Sequence, residues 1–328
     1  MVSIICPIFN EEKHIANCID SLLKQDFPQE NLEVLFVDGM STDRTREIVR
    51  EYSERHQNIR LIDNPQRTVP FAMNTGIGMA TGTVIIRIDA HAAYAPNYVS
   101  TLVKTLEETG CDNVGAPCQT DVAVKTDKTL AIRQVLCHRF GVGNASFRIG
   151  IDKVKEVDTV PFGCWKKTVF DKYGLYDTRL TRNQDIELNK RIANGGGRIL
   201  ITPHTHSTYF ARETFSALAR NNYQNGLWNV LTVFYTRQFK SLSLRHFIPL
   251  AFLLSLIVPV LLSFVCPWAL LIAGISLAAY LSLIVSISWS LSRKGLSFVN
   301  LVKAFITLHL SYGWGSMVGL FRILTHKV

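Results

Sequence analysis

The chain has 328 residues, and its excess of lysine and arginine gives a net charge of +9. This length accommodates one large domain or two smaller ones, and the charge favours work against an anionic surface or with phosphates. The sequence has neither a basic stripe with interleaved aromatic residues nor a known nucleic-acid-binding motif, so nucleic acid is not expected as a partner. The seven cysteines are odd in number and lack CxxC spacing, which argues against a disulfide framework and a structural zinc site.

The N-terminal part alternates predicted strands with predicted helices. Four apolar runs are predicted as strands: VSIIC (2–6), which Pro7 ends, LEVLFVDG (32–39), IRLIDN (59–64) and TVIIRIDAH (83–91). Apolar residues at helical spacing follow the first strand, Ser41 is a suitable N-cap for a second helix, and VPFAMNTGIGMATG (69–82) predicts a third. Nearly continuous apolar strands between helices are typical of a parallel sheet covered on both faces.

Polar residues stand where these strands end. They are Asn10 and Glu11 after the first strand, Asp38 after the second, and Asp89 and His91 after the fourth. Ligands of open parallel sheets bind outside the carboxyl ends of the strands, so these side chains are expected at one binding edge. Carboxylates this close together repel unless a cation or hydrogen-bond donors compensate. The turn CPIFNEE (6–12) lacks the GxGxxG of a dinucleotide-binding oxidoreductase and the basic, glycine-rich loop of a nucleotidyltransferase.

Five motifs in order resemble glycosyltransferase family 2, whose members have the GT-A fold. They are PIFNEE (7–12), VDGMSTDRT (37–45), FAMNTGIGMATG (71–82), RIDAHA (87–92) and RNQDIELNKR (182–191). Each motif alone is weakly specific, whereas five in order with suitable spacing are strongly so. More narrowly, FGVGNASFR (140–148), VPFGCWKKTVF (160–170) and the DAH variant resemble the succinoglycan glucosyltransferase-like branch. Members of that branch extend bacterial surface polysaccharides on a polyprenyl-diphosphate carrier.

The resemblance implies a nucleotide-sugar donor and a divalent cation, Mn²⁺ or Mg²⁺. RIDAHA stands where the family has its D-x-D motif, so Asp89 is predicted to bind the nucleotide sugar or the metal, and His91 the metal. A histidine in place of a carboxylate predicts weaker and more pH-dependent metal binding, while a hydrogen bond to a loop is the alternative for His91. The residues predicted to bind the nucleotide sugar are Pro7, Asn10, Glu11, Asp38, Arg67, Asn74 and Asp89. A solvated loop charge is the alternative for Arg67.

Asp185 is the predicted catalytic base. It takes the second position of the family's E-D motif, whereas Gln184 replaces the first acid. A carboxylate within hydrogen-bond reach of a sugar hydroxyl can take its proton as attack develops. The resemblance implies a single displacement with inversion, which gives a β-linkage from an α-linked donor. The alternative for Asp185, and for Glu187, is an acid in the first turn of a helix.

Trp165, Arg220 and Trp228 are predicted to bind the acceptor. Trp165 stands where the family shapes the acceptor pocket, and a buried core tryptophan is the alternative. The stretch RNNYQNGLW (220–228) matches the Q-x-x-R-W motif of processive relatives poorly, because Leu227 replaces the arginine. This difference favours the transfer of one sugar over polymerisation. The pair His204 and His206 has no nearby third ligand at the usual zinc spacing.

The last quarter of the chain is strongly apolar. The segments 247–266 and 268–289 carry no charge, and each is long enough to cross a bilayer core of about 30 Å. A third segment, 304–321, contains His309 and three glycines, and it either spans or lies at the interface. The basic flanks of the first two segments, which include Lys240, predict a cytoplasmic location for both flanks. Arg322 and Lys327, after the third segment, conflict with that rule if it spans.

The sequence therefore predicts an α/β protein with a cytoplasmic GT-A domain over 1–240 and a membrane domain with two or three transmembrane helices over 241–328. No signal peptide is expected, and the predicted location is the bacterial inner membrane. The predicted function is the inverting transfer of one hexose, from UDP-glucose or a similar donor, to a polyprenyl-diphosphate-linked saccharide in exopolysaccharide or capsule synthesis. The alternative is a membrane-anchored scaffold or nucleotide-binding subunit of a polysaccharide assembly complex, whose site is degenerate at His91 and Gln184.

Overall fold

The computed structural model describes residues 1–237 and 242–325. They form two compact units: Met1–Gln119 with Ser146–Phe210, and Thr120–Ala145 with the chain from Ala211 onward. The predicted boundary between 1–240 and 241–328, and the flanking residues Lys240 and Lys327, lie outside the described residues. The two units divide the chain at other positions, because 120–145 belongs with the C-terminal helices. The predicted domain division stays a prediction.

The first unit is built on a mostly parallel sheet. The strands of the chain are β1 (Val2–Ile8), β2 (Leu32–Asp38), β3 (Ile59–Asp63), β4 (Val84–Arg87), β5 (Ala92–Tyr94), β6 (Asn113–Gly115), β7 (Cys118–Asp121), β8 (Lys155–Glu156), β9 (Cys164–Lys166), β10 (Ile199–Ile201) and β11 (Ser207–Phe210). The main sheet has the order β3-β2-β1-β4-β9-β6-β10-β8. The first four strands run parallel, as predicted, and β9 is antiparallel to β4. Outside the main sheet, β5 pairs with β11.

Helices cover both faces of this sheet. The helices of the chain are α1 (Ile15–Leu23), α2 (Thr45–Arg55), α3 (Val69–Met79), α4 (Tyr98–Thr109), α5 (Asp127–Leu136), α6 (Arg139–Val142), α7 (Ser146–Ile149), α8 (Thr168–Tyr173), α9 (Gln184–Asn194), α10 (Phe215–Thr236), α11 (Ile248–Leu262), α12 (Ala269–Ser292) and α13 (Phe298–Leu324). Successive residues of a strand point to opposite faces. Ile4 and Cys6 of β1 therefore pack with α1 and α4, whereas Ile5 packs with α3 and α9.

The prediction that Pro7 ends the first strand is wrong, because β1 continues to Ile8. In the described residues, the pairing of β1 with β4 ends at Ile5 and Arg87. The Ile5 carbonyl, which accepts a bond from the Ile88 amide, faces β4, and Pro7 faces the same side two residues later. Pro7 lacks a backbone N–H, but no hydrogen bond between β1 and β4 is lost, because the pairing has already ended at this position. Because β4 itself ends at Arg87, Asp89 and His91 lie in the connection to β5.

The second unit contains the apolar helices. The segments Leu244–Leu262 and Ala269–Ser292 have mean hydropathies of 2.0 and 2.4 and are 11% buried, which is unlike the core helices of a soluble protein. By length and composition both could cross a membrane, and no other helix of the described residues meets the same test. The third predicted span, 304–321, is part of α13, which packs closely against α10. A Cβ added at Gly226 would overlap the Tyr312 carbonyl oxygen, and one at Gly315 the Tyr223 carbonyl oxygen.

Candidate active site

Asp38 lies at the end of β2 with its carboxylate fully buried. Its Oδ1 accepts a hydrogen bond from the Ser41 hydroxyl at 2.5 Å, and its Oδ2 accepts from the Ser41 amide at 3.0 Å. Arg46 reaches Asp38 Oδ2 at 2.5 Å and Asp63 at 2.7 Å, and these bonds to Asp63 and Asp38 raise the pKa of Arg46. Ser41 is therefore an Asp38 partner, and the prediction that it caps the second helix is wrong, because α2 begins at Thr45. The contact between Asp38 and the nucleotide stays a prediction.

The loop that contains Asn10 and Glu11 is hydrogen-bonded to the loop after β2. Asn10 has a left-handed backbone, with φ of 54°, and its side-chain oxygen accepts from the Thr42 amide at 2.9 Å. The Glu11 amide donates to the Thr45 hydroxyl at 2.7 Å, and the same hydroxyl donates to Asp43 at 2.5 Å. Asp43 thus holds the start of α2. The motifs PIFNEE and VDGMSTDRT form one interlocked structure at this edge.

The connection from β4 to β5 brings Asp89 and His91 to the same edge. Nδ1 of His91 lies 3.2 Å from Oε1 of Glu11, and the Asp89 amide donates to the Tyr94 hydroxyl at 2.8 Å. The side chain of Asp89 is 24% exposed and that of His91 is 40% exposed, so solvent reaches both. The predicted convergence of the strand ends is therefore seen for Glu11 and His91.

Two residue types that can bind a divalent cation lie in the connection from β4 to β5. In the part of the chain that the structure describes, no group of three or more His, Cys, Asp or Glu side chains is placed to hold a metal ion. Asp89 and His91 supply one carboxylate and one imidazole. Mg²⁺ is commonly held by one or two carboxylates together with substrate phosphates, and Mn²⁺ also accepts imidazole. The residues present suit a cation whose remaining ligands come from a diphosphate and water.

Asp185 lies in the first turn of α9, partly exposed, where its Oδ1 accepts from the Ile186 amide at 2.9 Å. The helix follows Asn183, which has a left-handed backbone with φ of 60°. Glu187 is buried and forms a two-bond ion pair with Arg191, at 2.6 and 3.0 Å. Glu187 therefore serves the helix. Asp185 forms no ion pair of this kind in the described residues, and its role as the catalytic base stays a prediction.

Arg87 is a site residue that the sequence interpretation missed. Its side chain is buried, and its Nη2 and Nε lie 3.2 and 3.4 Å from Asp89 Oδ1. Burial acts to lower the pKa of Arg87, but the nearby Asp89, together with Tyr176 and Asp185, outweighs burial and raises this pKa above its ordinary value. The signal in the sequence is a single charged residue within the apolar run 84–88. Arg87 therefore pairs with the first residue of the predicted metal motif.

Asn74 lies on the predicted third helix, and Arg67 lies on a loop. The side-chain oxygen of Asn74 accepts a hydrogen bond from the Tyr176 backbone N–H, and the side-chain nitrogen of Asn74 donates one to the Tyr176 carbonyl, both at 2.9 Å. Asn74 therefore fixes a segment that is 102 positions away. Arg67 is exposed, with φ of 61°, on the loop beside Gly39, and Pro7 is partly buried within β1. Nucleotide binding by these residues stays a prediction.

The predicted acceptor residues fall in both units. Trp165 is 2% exposed in β9, and its ring packs against Phe170 and Tyr176 at centroid distances of 5.6 and 6.5 Å. This is the buried core tryptophan of the alternative interpretation, and its contact with an acceptor stays a prediction. Arg220 and Trp228 lie on α10 in the second unit, where Trp228 stacks on Tyr235.

A mostly parallel sheet covered by helices, with acidic residues and a D-x-H motif beyond its strand ends, is typical of nucleotide-sugar transferases of the GT-A class. The family described as "Glycosyl transferase family 2" matches residues 3–174, more than half of the chain. The chain belongs to glycosyltransferase family 2, which confirms the predicted family, fold class and transferase activity.

Two relatives and one solved structure show where this chain stands within the family. It is 30% identical over 284 residues to the dolichyl N-acetyl-alpha-D-glucosaminyl phosphate 3-beta-D-2,3-diacetamido-2,3-dideoxy-beta-D-glucuronosyltransferase of Methanococcus voltae, covering 84% of this chain and 87% of the relative. It is 31% identical over 220 residues to the succinoglycan biosynthesis protein ExoA of Rhizobium meliloti, covering 64% of this chain and 63% of the relative. The mannosyltransferase PcManGT of Pyrobaculum calidifontis, solved with GDP-Man and Mn²⁺, has the same fold, with a TM-score of 0.61, 20% identity and coverage of 98% of this chain and 87% of that one.

Proposed function

We propose that the protein transfers a single hexose, from UDP-glucose or a similar nucleotide sugar, to a saccharide carried on a polyprenyl diphosphate. The observation that supports this proposal is that Glu11 and His91, which belong to separate motifs of the family, lie together beyond the ends of β1 and β4, with His91 Nδ1 3.2 Å from Glu11 Oε1. Ligands of open parallel sheets bind outside the carboxyl ends of the strands, which is where a nucleotide-sugar donor is proposed to bind.

Asp185 is the proposed general base. As the acceptor hydroxyl oxygen forms its bond to the anomeric carbon, the hydroxyl proton passes to the Asp185 carboxylate. The bond from that carbon to the nucleoside diphosphate breaks, and the diphosphate leaves with the electron pair. Attack opposite the leaving group inverts the anomeric centre. The hydrogen bond from the Ile186 amide orients the carboxylate for this role.

Asp89 and His91 are the residues proposed to hold Mn²⁺ or Mg²⁺. A cation held by these two residues would supply positive charge to offset the negative charge of the departing diphosphate. Glu11 lies beside His91 and is positioned to orient its ring. The nucleotide part of the donor is proposed to lie along Asn10, Asp38 and the loop that carries Arg67.

The acceptor is proposed to be lipid-linked. Two helices of the second unit could cross a membrane, and the name of the Methanococcus relative specifies a dolichyl-phosphate-linked sugar as acceptor and a β-linkage. Anchoring the catalyst in the bilayer that holds the acceptor raises the effective concentration of that substrate. Arg220 and Trp228 are proposed to meet the acceptor, with the first unit on the cytoplasmic face of the cell membrane. A role within an exopolysaccharide or capsule assembly complex is part of the same proposal.

The proposal is tested with membranes that contain the full chain. They are supplied with UDP- and GDP-hexoses, UDP-N-acetylhexosamines and a diacetamido-uronic acid donor, with Mn²⁺ or Mg²⁺, and with short saccharides on polyprenyl phosphate or diphosphate. We expect one hexose to be added to the lipid-linked acceptor, with a product anomer opposite to that of the donor. Membranes that contain His91→Ala should need more Mn²⁺ for half-maximal rate.

Two outcomes would redirect the proposal. Transfer of a sugar other than a hexose, or to another carrier, would correct the substrates and retain the reaction. Binding of a nucleotide without turnover of any donor would favour the scaffold alternative, which Gln184 supports because it replaces an acid of the family motif.

A further inference from the structure

Arg87 occupies a position where an apolar residue would be expected. It is the last residue of β4, paired with Ile5 of β1, and its amide donates to the Gly163 carbonyl at 3.1 Å. The residue is only 7% exposed. A buried guanidinium lowers stability unless its charge and its donors are compensated. The chain therefore retains a costly cation at the carboxyl end of a central strand, directly beneath the candidate site.

The compensation for this charge comes from the site itself. Both Nε and Nη2 lie near one oxygen of Asp89, at 3.4 and 3.2 Å. Nη1 is buried and makes no hydrogen bond within the described residues. The ion pair that the described residues give Arg87 is therefore with Asp89, on the side of the candidate site.

The surroundings of Arg87 restrict its movement. Tyr176, whose hydroxyl is buried and interacts electrostatically with Arg87, has its backbone held at both polar atoms by Asn74. Trp165 and Phe170 pack around the Tyr176 ring, at centroid distances of 6.5 and 6.4 Å. The neighbours of the guanidinium are therefore held in place. Because the guanidinium is planar and its N–H donors have fixed directions, it can in turn restrict the orientation of a bound carboxylate.

We propose that Arg87 is a positioning residue of the transfer reaction, which holds the Asp89 carboxylate in the orientation that meets the donor. This inference rests on the proposed function, since it assumes that Asp89 meets the donor.

The proposal is tested by nucleotide binding and turnover of the full chain in detergent. Isothermal titration with UDP and with GDP, each in the presence of Mn²⁺, compares the wild type with Arg87→Met, Arg87→Lys, Asp89→Asn and the double variant Arg87→Met/Asp89→Asn. Arg60→Met is the matched control, because Arg60 also pairs with a carboxylate, Glu33 at 3.2 Å, but near the opposite end of the sheet.

If Arg87 acts through Asp89, Arg87→Met weakens nucleotide binding about 10–100-fold, and the double variant binds no more weakly than Asp89→Asn alone. Arg87→Lys recovers part of the loss, since it keeps the charge without the fork. Turnover at donor concentrations below saturation falls in parallel with binding, because both depend on the position of Asp89. Arg60→Met behaves as the wild type in both measurements.

The proposal is overturned if Arg87→Met binds and turns over like the wild type, or if its loss adds fully to that of Asp89→Asn. It is also overturned if Arg87→Met and Arg87→Lys lose binding equally while both melt at lower temperature, since Arg87 would then only stabilise the fold. A wild type that binds nucleotide without transferring sugar contradicts the proposed function but leaves the binding cycle as a test of Arg87. A wild type that binds neither nucleotide contradicts both.

Discussion

Nδ1 of His91 lies 3.2 Å from Oε1 of Glu11, although 80 positions separate the two residues. The contact joins the loop after β1 to the connection between β4 and β5. A carboxylate beside a metal-binding histidine commonly fixes the orientation of its ring and raises its basicity. His91 replaces the second carboxylate of the D-x-D motif, and Glu11, from the first motif, places a carboxylate beside it.

We expect Glu11→Gln to weaken Mn²⁺-dependent nucleotide binding about 10–100-fold, because the His91 ring loses a charged partner. Electron paramagnetic resonance of free Mn²⁺, titrated into protein with nucleotide, measures the effect. Glu30→Gln, at an exposed turn, is the control. Unchanged Mn²⁺ affinity in Glu11→Gln would show that the contact is incidental.

Asn74→Ala should destabilise the first unit. The substitution leaves the amide and carbonyl of Tyr176 without their 2.9 Å partners, and each unmade buried bond costs about 1–3 kcal/mol. The melting temperature in detergent should fall by several degrees, and turnover should fall because Tyr176 adjoins Arg87. Asn31→Ala, at an exposed position, is the control. A full-length Asn74→Ala protein with unchanged melting temperature would refute this role.

Gly315→Ala should disrupt the pair of helices α10 and α13, because its Cβ would overlap the Tyr223 carbonyl oxygen. Overpacking commonly costs about 1–3 kcal/mol, and a clash with backbone cannot be relieved by rotating a side chain. The yield of monodisperse protein after detergent extraction measures the effect. Gly274→Ala on α12 is the matched control, since no described atom lies within 4 Å of its added Cβ. Equal yields of the two variants would contradict the observed packing.

Glu33 should contribute to acid sensitivity. Burial acts to raise the pKa of Glu33, but hydrogen bonds from Ser3, Thr81 and Arg60 outweigh burial and lower this pKa below its ordinary value of 4.5. A lowered folded-state pKa stabilises the fold above pH 4.5, and this contribution is lost as the pH falls through the folded-state value. Melting temperatures between pH 3 and 7 should therefore fall less steeply toward acid in Glu33→Gln than in the wild type or in the exposed control Glu54→Gln. Parallel curves would exclude Glu33 as a contributor.

The sequence predicted the parallel strands and the strand-end site because both follow from local patterns. Apolar runs such as 32–38 form buried strands, and parallel strands bring Glu11 and His91 to one edge. Contacts between distant segments leave no such local pattern. The hydrogen bonds between the Asn74 side chain and the Tyr176 backbone are one example, and the ion pair of Arg46 with Asp38 is another. Arg87 left a signal, a charge within an apolar strand, but its partners became visible only in three dimensions.

Turnover by Asp185→Asn is the most direct test of the proposed reaction. The variant keeps the size of the side chain and its place at the start of α9 but cannot accept the acceptor proton. We expect turnover to fall about 10²–10⁴-fold with nucleotide binding unchanged, while Asp171→Asn, at an exposed position on α8, behaves as the wild type. Wild-type turnover by Asp185→Asn, or a loss of nucleotide binding that matches the loss of turnover, would contradict the assignment of Asp185 as the base.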